Sequence, residues 1–128
     1  MQIEAAVAKA VRAALAAALP CQVYDHPPRD AAKPFVTFDR HICQPDDDIS
    51  EQMSRHQITL AVWSETRGPK EVRDIIGGIR KTLHYASLSL DAGESVKCEV
   101  ERADATRDAD GVTYMGTVLI SVLTDNTD

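Results

Sequence analysis

A chain of 128 residues has the length of one ordinary domain and can bury roughly two thirds of the surface its unfolded form exposes. With 44% hydrophobic and 27% charged residues, it needs neither a metal nor a disulfide to support a core. The net charge of −6 and the lack of any basic run exclude a nonspecific binder of nucleic acid or anionic membrane, since both require a basic patch.

The first element is a helix over residues 2–19. Ile3, Val7, Val11 and Leu15 recur every four residues, and Ala10, Ala14, Ala18 and Leu19 widen the stripe. Its alanines favour the helix and keep it thin enough to approach a sheet closely. Glu4, Lys9 and Arg12 interrupt the apolar run, which excludes a secretory h-region or a membrane span. Pro20 ends the segment. A short strand, CQVY, follows at 21–24, and the proline-rich 25–34 stretch is a loop.

Residues 35–43 (FVTFDRHIC) form a strand. Strict alternation places Val36, Phe38 and Ile42 on one face, with Thr37, Asp39 and His41 on the other. A polar loop over 44–53 leads to RHQITLAVWSE at 55–65, so the two strands make an antiparallel hairpin. In the second strand Ile58, Leu60 and Val62 face the core, while Gln57, Thr59, Ala61 and Trp63 face away. Pro69 suits the first turn of a second helix. There Val72, Ile75, Ile76, Ile79 and Leu83 form one apolar face. Gly77-Gly78 within it is read as close backbone packing against the sheet or the first helix.

After a loosely apolar 86–95 segment come two long strands. In 96–104, Val96, Cys98 and Val100 point inward, and Lys97, Glu99 and Glu101 point outward. In 112–123, Val112, Tyr114, Val118, Ile120 and Val122 share one side, but Met115, Leu119 and Leu123 make the second side apolar too. Asp110-Gly111 is a tight-turn signal between them, and residues 125–128 are expected to fray. The whole is an α+β domain spanning 1–128: a mainly antiparallel sheet of four to five strands with two helices packed on one face.

No catalytic residue, cofactor site or metal site is expected. Cys21, Cys43 and Cys98 are odd in number and widely spaced, as for reduced thiols in the cytosol. Cys43 and Cys98 look like small core hydrophobes. His41 and His56 can face one another across the hairpin with Cys43 nearby, but zinc needs three or four ligands in closed geometry; partly exposed strand histidines are the simpler reading. Asp46, Asp47, Asp48 and Glu51 make a dense acidic loop without the alternation and glycine of a calcium loop. They are read as a solvated tip or a contact loop. A sheet apolar on both faces, with helices enough for one, points to a partner on the other. Trp63, Met115 and Leu119 are therefore interface candidates, Trp63 also being suited to packing against a helix end inside the monomer.

Three stretches carry a family resemblance: VYDHPPRDAAKPFVTF at 23–38, RHQITLAVWSET at 55–66, and the helix EVRDIIGGIRKTL at 71–83. With the opening Ala-rich helix and the closing strands, they resemble the short tail-completion proteins of phages and prophages. Those are similar to the tail terminators of long noncontractile tails and of gene transfer agents. The acidic loop and Gly77-Gly78 depart from the family pattern. The resemblance implies a ring, a hexamer by analogy, that caps the head-proximal end of a tail tube and stops its polymerisation. Implied partners are copies of itself, the tail tube protein and the head–tail connector proteins. No membrane or specific nucleic-acid contact is implied, although DNA passes through such rings. The implied locations are the host cytoplasm during assembly and the head–tail junction of the virion. The alternative is a ligand-binding or regulatory α+β module with a pocket at Trp63.

Overall fold

The computed structural model describes residues 2–45, 53–107, 109–111 and 113–125. In chain order they form α1 (Gln2–Ala18), β1 (Gln22–Tyr24), β2 (Phe35–Pro45), β3 (Met53–Arg67), α2 (Lys70–Leu83), β4 (Glu94–Arg107) and β5 (Thr113–Asp125). The strands make one sheet in the order β1-β2-β3-β5-β4. Every pairing is antiparallel except β1 with β2, which run parallel. This is the expected α+β architecture, with five strands and both helices on one face.

The helix side of the sheet is the core. Val36, Ile58, Leu60, Val62, Val118, Ile120 and Val122 from the strands meet Val7, Val11 and Leu15 of α1 and Val72, Ile79 and Leu83 of α2. Each of these side chains contributes about 1.5–3 kcal/mol by leaving water. α2 lies so close to β5 that a methyl group on Gly116 would stand 2.8 Å from Val72 Cγ1 and 2.9 Å from Ile76 Cδ1. Gly78 has the packing role read from the sequence, because a Cβ there would meet Leu19 Cδ2 at 2.9 Å; Gly77 has open space. α1 ends one residue earlier than its periodicity implies. Ala18 is exposed rather than part of the stripe, and the buried Leu19 takes that place, its N–H bonded to the Leu15 carbonyl at 2.8 Å.

Four expectations need correction. A register shift between Phe38 and Arg40 places Asp39 in a bulge. One extra residue reverses every later side chain, so His41 and Cys43 turn to the core face and Ile42 to the outer one. A second shift, between Ser95 and Lys97, leaves Val96 55% exposed instead of inward. The β2–β3 hairpin is longer than its sequence implied, reaching Pro45 on one side and Met53 on the other. Asp125, expected to fray, instead pairs from β5 with Met53 and Glu94. Val112 and residues 126–128 lie outside the described residues.

The β4–β5 turn shows the chemistry its sequence implied. Gly111 has φ 77°, a conformation that favours glycine. The Asp110 carboxylate accepts from the Thr113 backbone N–H at 2.9 Å and from its hydroxyl at 2.7 Å.

Candidate functional site

The ladder register builds the outer sheet face row by row. From β2 across β3 and β5 to β4, one row is Phe35, Trp63, Met115 and Thr106. The next are Thr37, Ala61, Thr117, Asp104, and then Arg40, Thr59, Leu119, Arg102. Beyond them lie Ile42, Gln57, Ser121, Glu99, and finally Gln44, Arg55, Leu123, Lys97. No described helix packs on this face, since α1 and α2 both pack on the other side.

Trp63 therefore lies on the sheet surface, not against a helix end, and the monomer-core reading of it is corrected. It is half-buried in the aromatic row. Its indole N–H donates to Thr37 Oγ1 at 3.1 Å, and the Phe35 ring stands 6.5 Å away, tilted. Tyr24, brought beside β2 by the parallel pairing, meets Phe35 edge-on at 5.7 Å. Aromatic contacts of this geometry and a satisfied indole hold the cluster in one conformation. Thr37 in turn donates to Asp39 Oδ1 at 2.8 Å. Met115 and Leu119 are half-buried on the same face, in Trp63's row and two rows on. Tyr24 and Phe35 were missed as members of this patch; the signal available was their parity with Thr37 in strands whose other face is aliphatic.

The patch runs out into charge. Arg40, Arg55, Arg102 and Lys97 are exposed on this face, beside the half-buried Asp104 and Glu99. A face with an aromatic and methionine cluster at one end and mixed charges across the rest has the composition of a protein contact. It is less suited to a small-molecule pocket. A cavity of about 600 Å³ lies beside the start of α2 among Pro20, Pro34, Arg67, Lys70 and Ile75, and smaller ones of about 320 and 260 Å³ lie on the outer face around Leu119 and Leu123; Trp63 lines none of the three. Asp46, Asp47, Asp48 and Glu51 lie outside the described residues.

The bulge at Asp39 produces a second cluster, beneath the sheet. His41 Nε2 and His56 Nδ1 are 2.8 Å apart, and His56 Nε2 lies 3.2 Å from Thr124 Oγ1 and 3.9 Å from Cys43 Sγ. His56 is fully buried, unlike the partly exposed residue expected. One proton arrangement satisfies the chain of groups. His41 donates to His56 Nδ1, His56 Nε2–H donates to Thr124, and the Thr124 hydroxyl donates to the Ser54 carbonyl at 3.4 Å. Burial, with the nearby His41, pushes the His56 pKa down to about 4, and burial also lowers that of His41. Both rings are thus held neutral near pH 7.

This cluster is a poor metal centre or nucleophile. Cys43 approaches the nitrogen of His56 opposite the one that meets His41, so the three do not converge on one point. Among the described residues, no group of three or more His, Cys, Asp or Glu side chains has metal-binding geometry. Burial raises the Cys43 thiol pKa, and that of Cys98 to about 11, so neither is a ready thiolate.

No curated protein matches the chain. Among solved structures, one similar chain comes from the "Virion of native gene transfer agent (GTA) particle", with TM-score 0.78 and 23% identity, covering 97% of this chain and 95% of that one. At that identity the match speaks for the shared fold. The profile of the family "Tail completion protein gp17" matches residues 5–125. The chain belongs to the tail completion protein gp17 family, a family of structural proteins of virion tails.

Proposed function

We propose that this protein assembles as a ring, a hexamer by analogy with tail terminators, on the head-proximal end of a tail tube. There it stops tube growth and provides the joint to the head connector. The observation that carries this reading is the outer sheet face. It holds the half-buried Trp63, Met115 and Leu119, with the buried Phe35 beside Trp63, in register across three strands on the side of the sheet that neither helix covers. A sheet face of this kind in a tail-completion protein is best used against another subunit. The contact between subunits must be heterologous, because only a head-to-tail contact with a closing rotation makes a ring. Asp46, Asp47, Asp48 and Glu51, in the stretch of sequence between β2 and β3, supply a strongly acidic contact toward the tube, the connector or the lumen.

The test mixes purified protein with the cognate tube protein as it polymerises and follows tube length by electron microscopy. Ring-shaped density at one tube end and an arrest of elongation are expected. Tubes that keep growing, with the protein never at their ends, would overturn the proposal.

A further inference from the structure

The sheet has two unequal edges. β1 pairs with β2 only at Phe35, Val36 and Thr37, so among the described residues the β2 edge from Phe38 to Pro45 has no strand partner. At the opposite edge, the turn after α2 occupies part of β4. The Val100 N–H donates to His84 Nδ1 at 3.0 Å, and the Cys98 carbonyl accepts from the Tyr85 N–H at 2.7 Å. Past that point, from Glu101 to Arg107, no described strand pairs with the outer side of β4. Two open stretches of similar length therefore lie on opposite sides of one sheet, each bounded by a physical stop.

We infer that these edges pair between copies of this chain: residues 101–107 of one subunit add to residues 38–45 of the next, continuing the sheet around the ring. This rests on the ring reading above. The directions agree, because β2 and β4 point opposite ways within a copy and a head-to-tail repeat sets them antiparallel. One register aligns both open windows and keeps core and outer faces matched. It sets Thr106 opposite Arg40, Asp104 opposite Ile42, and Arg102 opposite Gln44 on the outer face. On the core face it sets the small Ala103 and Ala105 opposite Cys43 and His41.

Charge supports the same partner. Arg40 is exposed and makes no ion pair among the described residues; the register brings it diagonally beside Asp104, within reach of a long side chain. Arg107, exposed at the end of β4, comes to Asp39 at the bulge. Bulges and mixed charges on both edges discourage indiscriminate strand pairing, so only a strand with complementary charges joins easily. The register also has a geometric consequence. Within a copy, Asp104 is level with Thr37, so pairing it with Ile42 staggers neighbours by about four ladder positions, roughly 13 Å. Such a stagger tilts strands against the ring axis, as closing a sheet requires.

The test replaces Cys21 and Cys43 by Ser and introduces Arg40→Cys with Thr106→Cys, both at exposed positions. A second variant carries Gln44→Cys with Arg102→Cys, also exposed. Native mass is measured first, then the mildly oxidised protein is resolved on a denaturing gel. The expected result is a ring-sized assembly that yields a ladder of covalent oligomers. Mixed single variants should yield dimers at most, and each single variant alone none. A ring-sized assembly in which neither double variant cross-links would overturn the edge pairing and leave the ring intact. A protein monomeric both alone and with tubes would overturn the ring and, with it, this pairing.

Discussion

The buried His56 makes stability depend on pH in a way that can be calculated. His56 titrates near 6.5 when unfolded and about 4 when folded. Its pKa is depressed on folding, so between those values the unfolded chain binds the extra proton. Stability is then complete above pH 6.5 and falls with the pH until about 4, below which this group adds no further loss. A gap of 2.5 pH units corresponds to about 3 kcal/mol in all, of which about 2 kcal/mol is gone by pH 5. Carboxylates titrate in part of this window, so the informative quantity is a difference. Urea unfolding of the native chain and of His56→Gln would be compared at pH 7.5, 6, 5 and 4.5. Glutamine keeps an acceptor and a donor for His41 and Thr124 but has no charge to gain. His56→Gln should be less stable at pH 7.5, and the gap should narrow by about 2 kcal/mol at pH 5. Parallel pH profiles would refute the reasoning, since they would mean that His56 charges in the folded state as easily as in the unfolded one.

Other outcomes follow from packing. Gly77→Ala should raise stability by about 0.5–1 kcal/mol in thermal melts, because the site is open and alanine favours the helix. Gly78→Ala should gain less, since Leu19 must move. Gly116→Ala should cost about 1–3 kcal/mol by overpacking, because Val72, Ile76 and the Asp104 carbonyl at 3.3 Å all crowd the new methyl. Trp63→Ser should keep the far-ultraviolet circular dichroism of the native fold yet weaken co-sedimentation with tail tubes; unchanged co-sedimentation would remove the outer face from assembly. Asp46→Asn with Asp47→Asn and Asp48→Asn should leave the melting curve intact while weakening capture of tube ends in a pull-down.

Much of the molecule was legible because burial imposes periods. The helices follow from Ile3, Val7, Val11 and Leu15 and from Val72, Ile75, Ile76 and Ile79, all buried. The inner face of β3 follows from Ile58, Leu60 and Val62. Reading stopped where one residue broke the period. Nothing in DRHIC marks Asp39 as extra, so the faces of His41, Ile42 and Cys43 came out reversed; Val96 failed for the same reason. The meeting of His41 with His56 was foreseen from hairpin pairing alone, but its burial was not, since burial depended on that bulge.

The sequence by itself determined the class of element at each point, the net negative charge, and the family. Each rests on local pattern or composition, which the chain carries without folding. The tertiary structure alone decided the register, and with it which aromatic residues line up as Phe35, Trp63 and Met115. It also decided that β1 runs parallel to β2 over only three residues and that His84 and Tyr85 cover part of β4. Pairings between distant strands and partial edge capping depend on groups far apart in the chain. They exist only once the fold has brought those groups together.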